Sequence, residues 1–262
     1  ESYEGQGRGG DAEKLYRTAL DLRPDAPAMH SRFGGFCYGQ GRFAEAAAHF
    51  QKATELAPEF SKSYANLGAA LQALERNDEA MAAYRKSLAI EPNPSGWSNL
   101  GTLQFYLGKY ADAQKSYEQA VALAPWDYLM WANLGDACRA SGAKACADRA
   151  WTRTIAAARD IVTVRGNDAF TRAILASSLA KSGNLDEAQT EIRRALESNP
   201  TNSVVLYQAA VIATLRGSPD IAISWLERSI AAGYPAADAA RDPALESIRD
   251  LPAFRIAVKS RA

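Results

Sequence analysis

The sequence predicts an all-helical repeat solenoid, and three observations carry that prediction. Prolines recur at Pro24, Pro58, Pro92 and Pro125, at intervals of 34, 34 and 33 residues, and again at Pro200. A small residue stands twelve positions before each, at Ala12, Ala46, Ala80, Ala113 and Ala188. Alanine makes up 53 of the 262 residues, and it is both the best helix former and a side chain that lets helices approach closely. Self-similarity at a fixed period of about 20–50 residues marks a solenoid or a related array.

Each element follows from this register. Four residues after the alanine column stands a large apolar residue: Tyr16, Phe50, Tyr84, Tyr117, Trp151, Ile192 and Leu226. Three residues further on the column is small again, from Ala19 and Ala53 to Ala195 and Ser229. Spacings of three and four place these residues on one helix face. Ala147 and Ala222 mark two units that lack the closing proline, which makes seven in all. The first half of each unit aligns as well: Tyr64-Ala65-Asn66-Leu67-Gly68, Trp97-Ser98-Asn99-Leu100-Gly101 and Trp131-Ala132-Asn133-Leu134-Gly135. His30…Phe33-Gly34, Arg172…Leu175-Ala176 and Leu206…Ala209-Ala210 are weaker versions. Between the halves stand Gly7, Gly41, Gly108, Gly142, Gly183 and Gly217. Glycine there ends a first helix with a positive-φ cap, and proline stops the second. A lone hairpin cannot bury its apolar face, so neighbours must stack.

This pattern resembles the tetratricopeptide repeat (TPR) over residues 1–234. The resemblance implies a right-handed superhelix of about seven helical hairpins whose first helices line a concave groove. Three departures stand out. The first unit keeps only Tyr3 of its leading helix, so the sequence reads as a fragment that opens inside a repeat. The third interval is one residue short at Asn93-Pro94-Ser95-Gly96. Arg159 replaces the fifth proline and seven residues are added, which reads as a second helix prolonged to roughly 143–164, on the stripe Trp151, Ile155, Ala158 and Val162. After Tyr234-Pro235 the register ends. Residues 235–262 read as capping helices: Asp242 is an N-cap followed by Pro243, and Leu245, Ile248, Leu251 and Phe254 should cover the last hairpin near Leu215 and Leu226. This closing segment resembles the one after TPR arrays in bacterial multidomain signalling proteins of kinase, cyclase or transcription-regulator type.

Composition narrows the function. Lys and Arg number 30 and Asp and Glu number 30. That balance argues against a nucleic-acid partner or direct membrane binding driven by basic charge. No apolar run approaches the ~18 residues of a membrane span. Compartment stays open, cytoplasmic or extracytoplasmic. The three cysteines, Cys37, Cys138 and Cys146, are too few and too odd in number for a disulfide framework, although Cys146 could approach Cys138 across its hairpin. Without CxxC or a Cys/His cluster, no metal and no cofactor is expected. Gly5-Gln6-Gly7-Arg8-Gly9-Gly10 matches GxGxxG but lacks the strand a dinucleotide fold needs. His30 falls in an aromatic column and should pack, whereas His49 should be exposed. Most of the tryptophans and tyrosines fall in packing columns. Trp126 lies in a linker and should be exposed. No catalytic constellation appears, so the chain reads as a non-enzyme.

What remains is the inward face of the first helices. Arg32, Asn66, Asn99 and Asn133 share one column, and asparagine is a poor helix former. Either the amides make local hydrogen bonds that fix the hairpins, or they form a ladder for the backbone of an extended peptide. The second reading resembles the asparagine ladder of O-GlcNAc transferases. Lys62, Thr102, Phe105, Asp136 and Arg139 are the flanking candidates. The carboxylate clamp known from other TPR proteins does not fit, since Ser31 and Gly35 precede Asn66 where it needs Lys and Asn. The expected function is a scaffold that binds a peptide or partner domain. The alternative is regulatory self-association, for instance weakly through the truncated N-terminal end. If the register is right, Ala80→Leu overpacks a helix crossing. A denaturation series should show a loss of about 1–3 kcal/mol.

Overall fold

The structure is a computed structural model and describes residues 9–259. Tyr3, Gly7 and residues 5–8 of the GxGxxG match lie outside the described residues. The chain divides into two compact units, Glu1–Leu103 and Gln104–Ala262. All regular structure among the described residues is helical, and no helix is long and apolar enough to cross a membrane.

The first unit holds α1 (Gly9–Leu22), α2 (Pro27–Gly39), α3 (Phe43–Leu56), α4 (Ser61–Ala73) and α5 (Asn77–Ile90). The division falls inside α6 (Pro94–Tyr106). The second unit continues with α7 (Tyr110–Leu123), α8 (Tyr128–Ala140), α9 (Lys144–Val164), α10 (Ala169–Lys181), α11 (Leu185–Ser198), α12 (Ser203–Leu215) and α13 (Pro219–Ala231). It closes with α14 (Ala236–Arg241), a 3-10 segment over Pro243–Ile248, and α15 (Pro252–Lys259).

Local chemistry sets the boundaries. The repeat prolines Pro24, Pro58, Pro92, Pro125 and Pro200 each stand two residues beyond a helix end. At the tight turns a residue with φ near +73° to +93° reverses the chain, Gly41 and Gly183 among them. The next N–H then reaches back five residues, as from Arg42 to the Cys37 carbonyl (2.9 Å) and from Ala143 to that of Cys138 (2.8 Å). This is the Schellman closure, which satisfies carbonyls left open at a helix end. Glu75, φ 57°, occupies that position in the α4–α5 turn, where glycine is missing. The short third interval is absorbed by Asn93, whose Oδ1 accepts from the Gly96 N–H (2.8 Å) and starts α6.

The alanine column is buried throughout, with Ala46, Ala80, Ala113, Ala188 and Ala222 fully enclosed. In three hairpins the first and second helices meet where a glycine faces an aromatic ring. A methyl group on Gly34 would lie 2.8 Å from the Phe50 ring, and one on Gly68 would lie 2.8 Å from that of Tyr84. Gly135 is closer still to Trp151. The seven added residues prolong α9 to 21 residues rather than forming a loop. Ala158 enters a buried cluster with Ala173, Leu179 and Ile192, and Ile155 and Val162 pack against it. Asp168 then caps α10 through the Thr171 N–H (2.9 Å).

Two details differ from the sequence reading. His49 is half-buried rather than exposed, because its Nδ1 meets His30 Nδ1 at 3.0 Å. His30 Nε2 donates to the Pro24 carbonyl (2.9 Å), so its Nδ1 is left to accept from His49. Cys138 and Cys146 form a disulfide that ties α8 to α9, while Cys37 is free and buried. Trp126 is exposed.

In the second unit the last hairpin is covered by the closing segment. Leu245, Ile248 and Phe254 are buried in one cluster with Val211, Ile223 and Leu226, and Leu215 and Leu251 pack against it. Tyr207 stacks on Tyr234 with ring centroids 4.0 Å apart, and its hydroxyl donates to Asp242 Oδ2 (2.5 Å). Burial pushes the Tyr207 phenol well above its ordinary range. Asp242 Oδ1 accepts from the Ala244 N–H (2.8 Å), but the turn it starts is 3-10 rather than α-helical.

Two stability predictions follow from this geometry. Glu75→Gly should remove the left-handed penalty and gain about 0.5–1 kcal/mol net of glycine's unfolded-state entropy, read as a higher urea midpoint. The second concerns pH. Burial and the neighbouring His30 lower the pKa of His49 below its ordinary 6.5; Arg17 and Arg42 act in the same direction and Glu45 opposes them. The unfolded chain therefore binds this proton more readily than the folded one. Stability is full above the unfolded value and is lost as pH falls below it. Melting temperature should drop from about pH 7 to about pH 5, and the drop should be shallower in His49→Gln.

Candidate functional site

Polar side chains that a partner could reach gather on the first helices, and each unit has its own cleft. In the first unit the cleft lies between α2 and α4 and measures about 670 Å³. Helical spacing puts Ser31, Arg32 and Gly35 of α2 opposite Lys62, Ser63 and Asn66 of α4. The Ser31 and Ser63 hydroxyls meet at 3.3 Å across the floor. Tyr16 and Phe36 supply apolar walls, and Phe60, 59% exposed, forms a rim. Tyr16 is itself positioned by stacking on Phe33 at 5.5 Å. Arg42 anchors α1 to the start of α3 by gripping Glu13 (2.7 Å), whose carboxyl is held down to about 2 by hydrogen bonds from Arg42 and Arg17.

Three of the residues singled out from sequence, Arg32, Lys62 and Asn66, therefore line one cleft. Arg32 and Lys62 are exposed and make no ion pair or side-chain hydrogen bond among the described residues. Asn99 is exposed and Thr102 half-buried on α6, and neither borders this cleft.

In the second unit Phe105, Asp136 and Arg139 line a smaller cleft of about 410 Å³. Its Asp136 carboxylate is paired within the cleft. Lys181, at the end of α10, places Nζ 2.7 Å from Asp136 Oδ2, and the Trp151 indole N–H donates to Oδ1 (3.2 Å). Burial raises the Asp136 carboxyl, against the pull of Lys181. The Arg139 guanidinium lies 5.8 Å from the Trp151 ring centroid and donates to the Lys181 carbonyl (3.3 Å). Asp242, Pro243 and Glu246 of the closing segment complete the wall. Asn133 is half-buried on α8 and lies outside this cleft.

Sequence reasoning missed Lys181 and the closing segment as neighbours of Asp136. Lys181 shares a column with Tyr106 and Ala140, so no repeat signal marked it. It also missed a common property of the three asparagines. None of Asn66, Asn99 and Asn133 makes a side-chain hydrogen bond among the described residues, and all three are half-buried or exposed. The local-bond account of that column thus has no bond to rest on. Among the described residues no three His, Cys, Asp or Glu side chains converge as a metal site would require.

Comparison with known proteins agrees with this architecture. Three family models, each described as tetratricopeptide repeat, match residues 1–59 and 175–241, residues 94–127, and residues 38–101. No match is found among curated proteins. A tetratricopeptide repeat protein from Parabacteroides merdae is similar with a TM-score of 0.70 and 14% identity, over 97% of this chain and 94% of that one. Pseudomonas aeruginosa pilF is similar with a TM-score of 0.56 and 20% identity, over 78% and 90%. PilW, a type IV pilus biogenesis factor, gives a TM-score of 0.57 and 18% identity, over 85% and 97%. At such identities the likeness is one of fold. The repeat register and the helical hairpins, together with family models that match most of the sequence, establish that this chain belongs to the tetratricopeptide repeat proteins.

Proposed function

We propose that this chain is a scaffold that holds an extended peptide, or a segment of a partner domain, against the first helices. The TPR fold is a general protein-interaction scaffold, and the finer reading concerns how this chain grips its partner. One observation carries it: the amides of Asn66, Asn99 and Asn133 recur at one column and have no hydrogen-bond partner among the described residues. An amide offers a donor and an acceptor together, which matches a peptide group rather than any particular side chain. Such contacts supply affinity without reading sequence. Selectivity then falls to the flanking residues, Arg32 and Lys62 in the first unit and Phe105, Asp136 and Arg139 in the second, with Thr102 beside Asn99 on α6. We read the segment after Tyr234 as the cap of the array, since Leu245 and Phe254 shield the last hairpin.

The test is a variant with all three asparagines changed to alanine. Because the amides hold nothing in the chain together, its melting temperature should stay within a degree or two of the parent. Each lost hydrogen bond should weaken peptide binding by about 0.5–1.5 kcal/mol, read by calorimetry with a partner captured by the unaltered protein. A collapse of the melting temperature, with binding intact in the folded fraction, would make the column structural.

A further inference from the structure

Resting on that scaffold reading, we propose that the cleft between α2 and α4 selects an acidic segment. A carboxylate side chain lies between Arg32 and Lys62, and a neighbouring apolar side chain rests on Tyr16, Phe36 and Phe60.

Charge complementarity carries the argument. Among the described residues Arg32 and Lys62 are the only charged ones lining this cleft, and both are cations. Neither is neutralised by a described residue, whereas in the same unit Arg42 holds Glu13 and Glu45 (2.7 and 2.6 Å) and Arg76 holds Glu79 (2.7 Å). Two unpaired cations facing one cleft repel each other when it is empty, and a carboxylate between them turns that repulsion into two attractions. The remaining lining is apolar or neutral, so nothing in it repels an anion.

The shape narrows the ligand further. A cleft of about 670 Å³ is far larger than a lone carboxylate group, and the aromatic walls reward an apolar neighbour. Along α2 the lining runs from Pro27 and Ala28, one turn before Arg32, to Gly35 and Phe36, one turn after it. Arg32 thus stands midway along the α2 wall with lining on both sides of it, and Lys62 faces the trough from the first turn of α4. That placement favours an acidic side chain over a terminal carboxylate. The free Asn66 amide on the α4 wall is available to the backbone of the same segment.

The experiment uses the whole chain and rhodamine-labelled peptides of about ten residues, acetylated and amidated, in which leucine alternates with glutamate, glutamine or lysine. A further glutamine peptide keeps its free C-terminal carboxylate. By fluorescence anisotropy the glutamate peptide should bind about tenfold more tightly than the capped glutamine peptide. Raising sodium chloride from about 50 to about 500 mM should erase most of that advantage. The double variant Arg32→Glu, Lys62→Glu should invert the preference towards the lysine peptide. Its melting temperature should be unchanged, because both side chains are exposed and unpaired. Equal binding of glutamate and glutamine peptides, or a glutamate preference that survives the charge reversal, would overturn the proposal. So would a free-carboxylate glutamine peptide binding as tightly as the glutamate one, since that places the anion at a chain end. If all peptides bind alike and the triple asparagine variant abolishes binding, the scaffold reading stands and the acid preference falls. If no peptide binds, both fall.

Discussion

Several of the hairpins share one constraint: the backbone of the first helix must come close enough to the second for an aromatic ring to fill the gap. Gly34 against Phe50, Gly68 against Tyr84 and Gly135 against Trp151 are three instances, each pair sixteen residues apart in sequence. No side chain larger than hydrogen fits without the ring moving, because interiors are packed at crystal-like density. The buried alanines serve the same approach from the other helix. Once the helices are this close, the turn between them is short and needs its left-handed residue. Arg32 and Asn66 are left on the side of the first helices where a cleft opens.

That constraint explains why the fold was legible in the sequence. Glycine, alanine and aromatic positions are fixed by contact geometry, so they recur in register, and period alone reveals them. The prolonged α9 was legible for the same reason, since Ile155, Ala158 and Val162 continue the stripe beyond the missing proline. The features that escaped are those made by one-off side chains. His49 met His30 because their ring nitrogens converge at the start of one hairpin, a contact no other repeat makes. Lys181 reached Asp136 from a column that elsewhere holds uncharged residues, Ala73, Tyr106, Ala140 and Leu215 among them. The Cys138–Cys146 bridge arises from two helices whose pairing was foreseen, but two cysteines give no period to read.

The candidate sites divide along the same line. The residues chosen from the repeat columns lie on α2, α4, α6 and α8, and six of them border a cleft. What the columns did not reveal was the electrostatic contrast between the clefts. In the second unit Lys181 already neutralises Asp136, and the closing segment fills part of the wall. In the first unit the cations have no such counterpart among the described residues. Repeat geometry thus decides where a ligand can lie, and unrepeated residues decide what it can be.

The closing segment also bears on how such an array can change length. Leu245, Ile248 and Phe254 are fitted to Val211, Ile223 and Leu226 of the last hairpin, and Asp242 is bound to Tyr207. A hairpin inserted after α13 would have to reproduce that whole pattern on its own outer face, or leave the segment without a seat. An insertion between two earlier hairpins meets only the repeating pattern of small and large apolar residues, which an added unit already carries. Duplication within this chain is therefore tolerated in its interior and resisted at its C-terminal end. Lineages that lengthen the array should keep the last hairpin and its closing segment together as one inherited block.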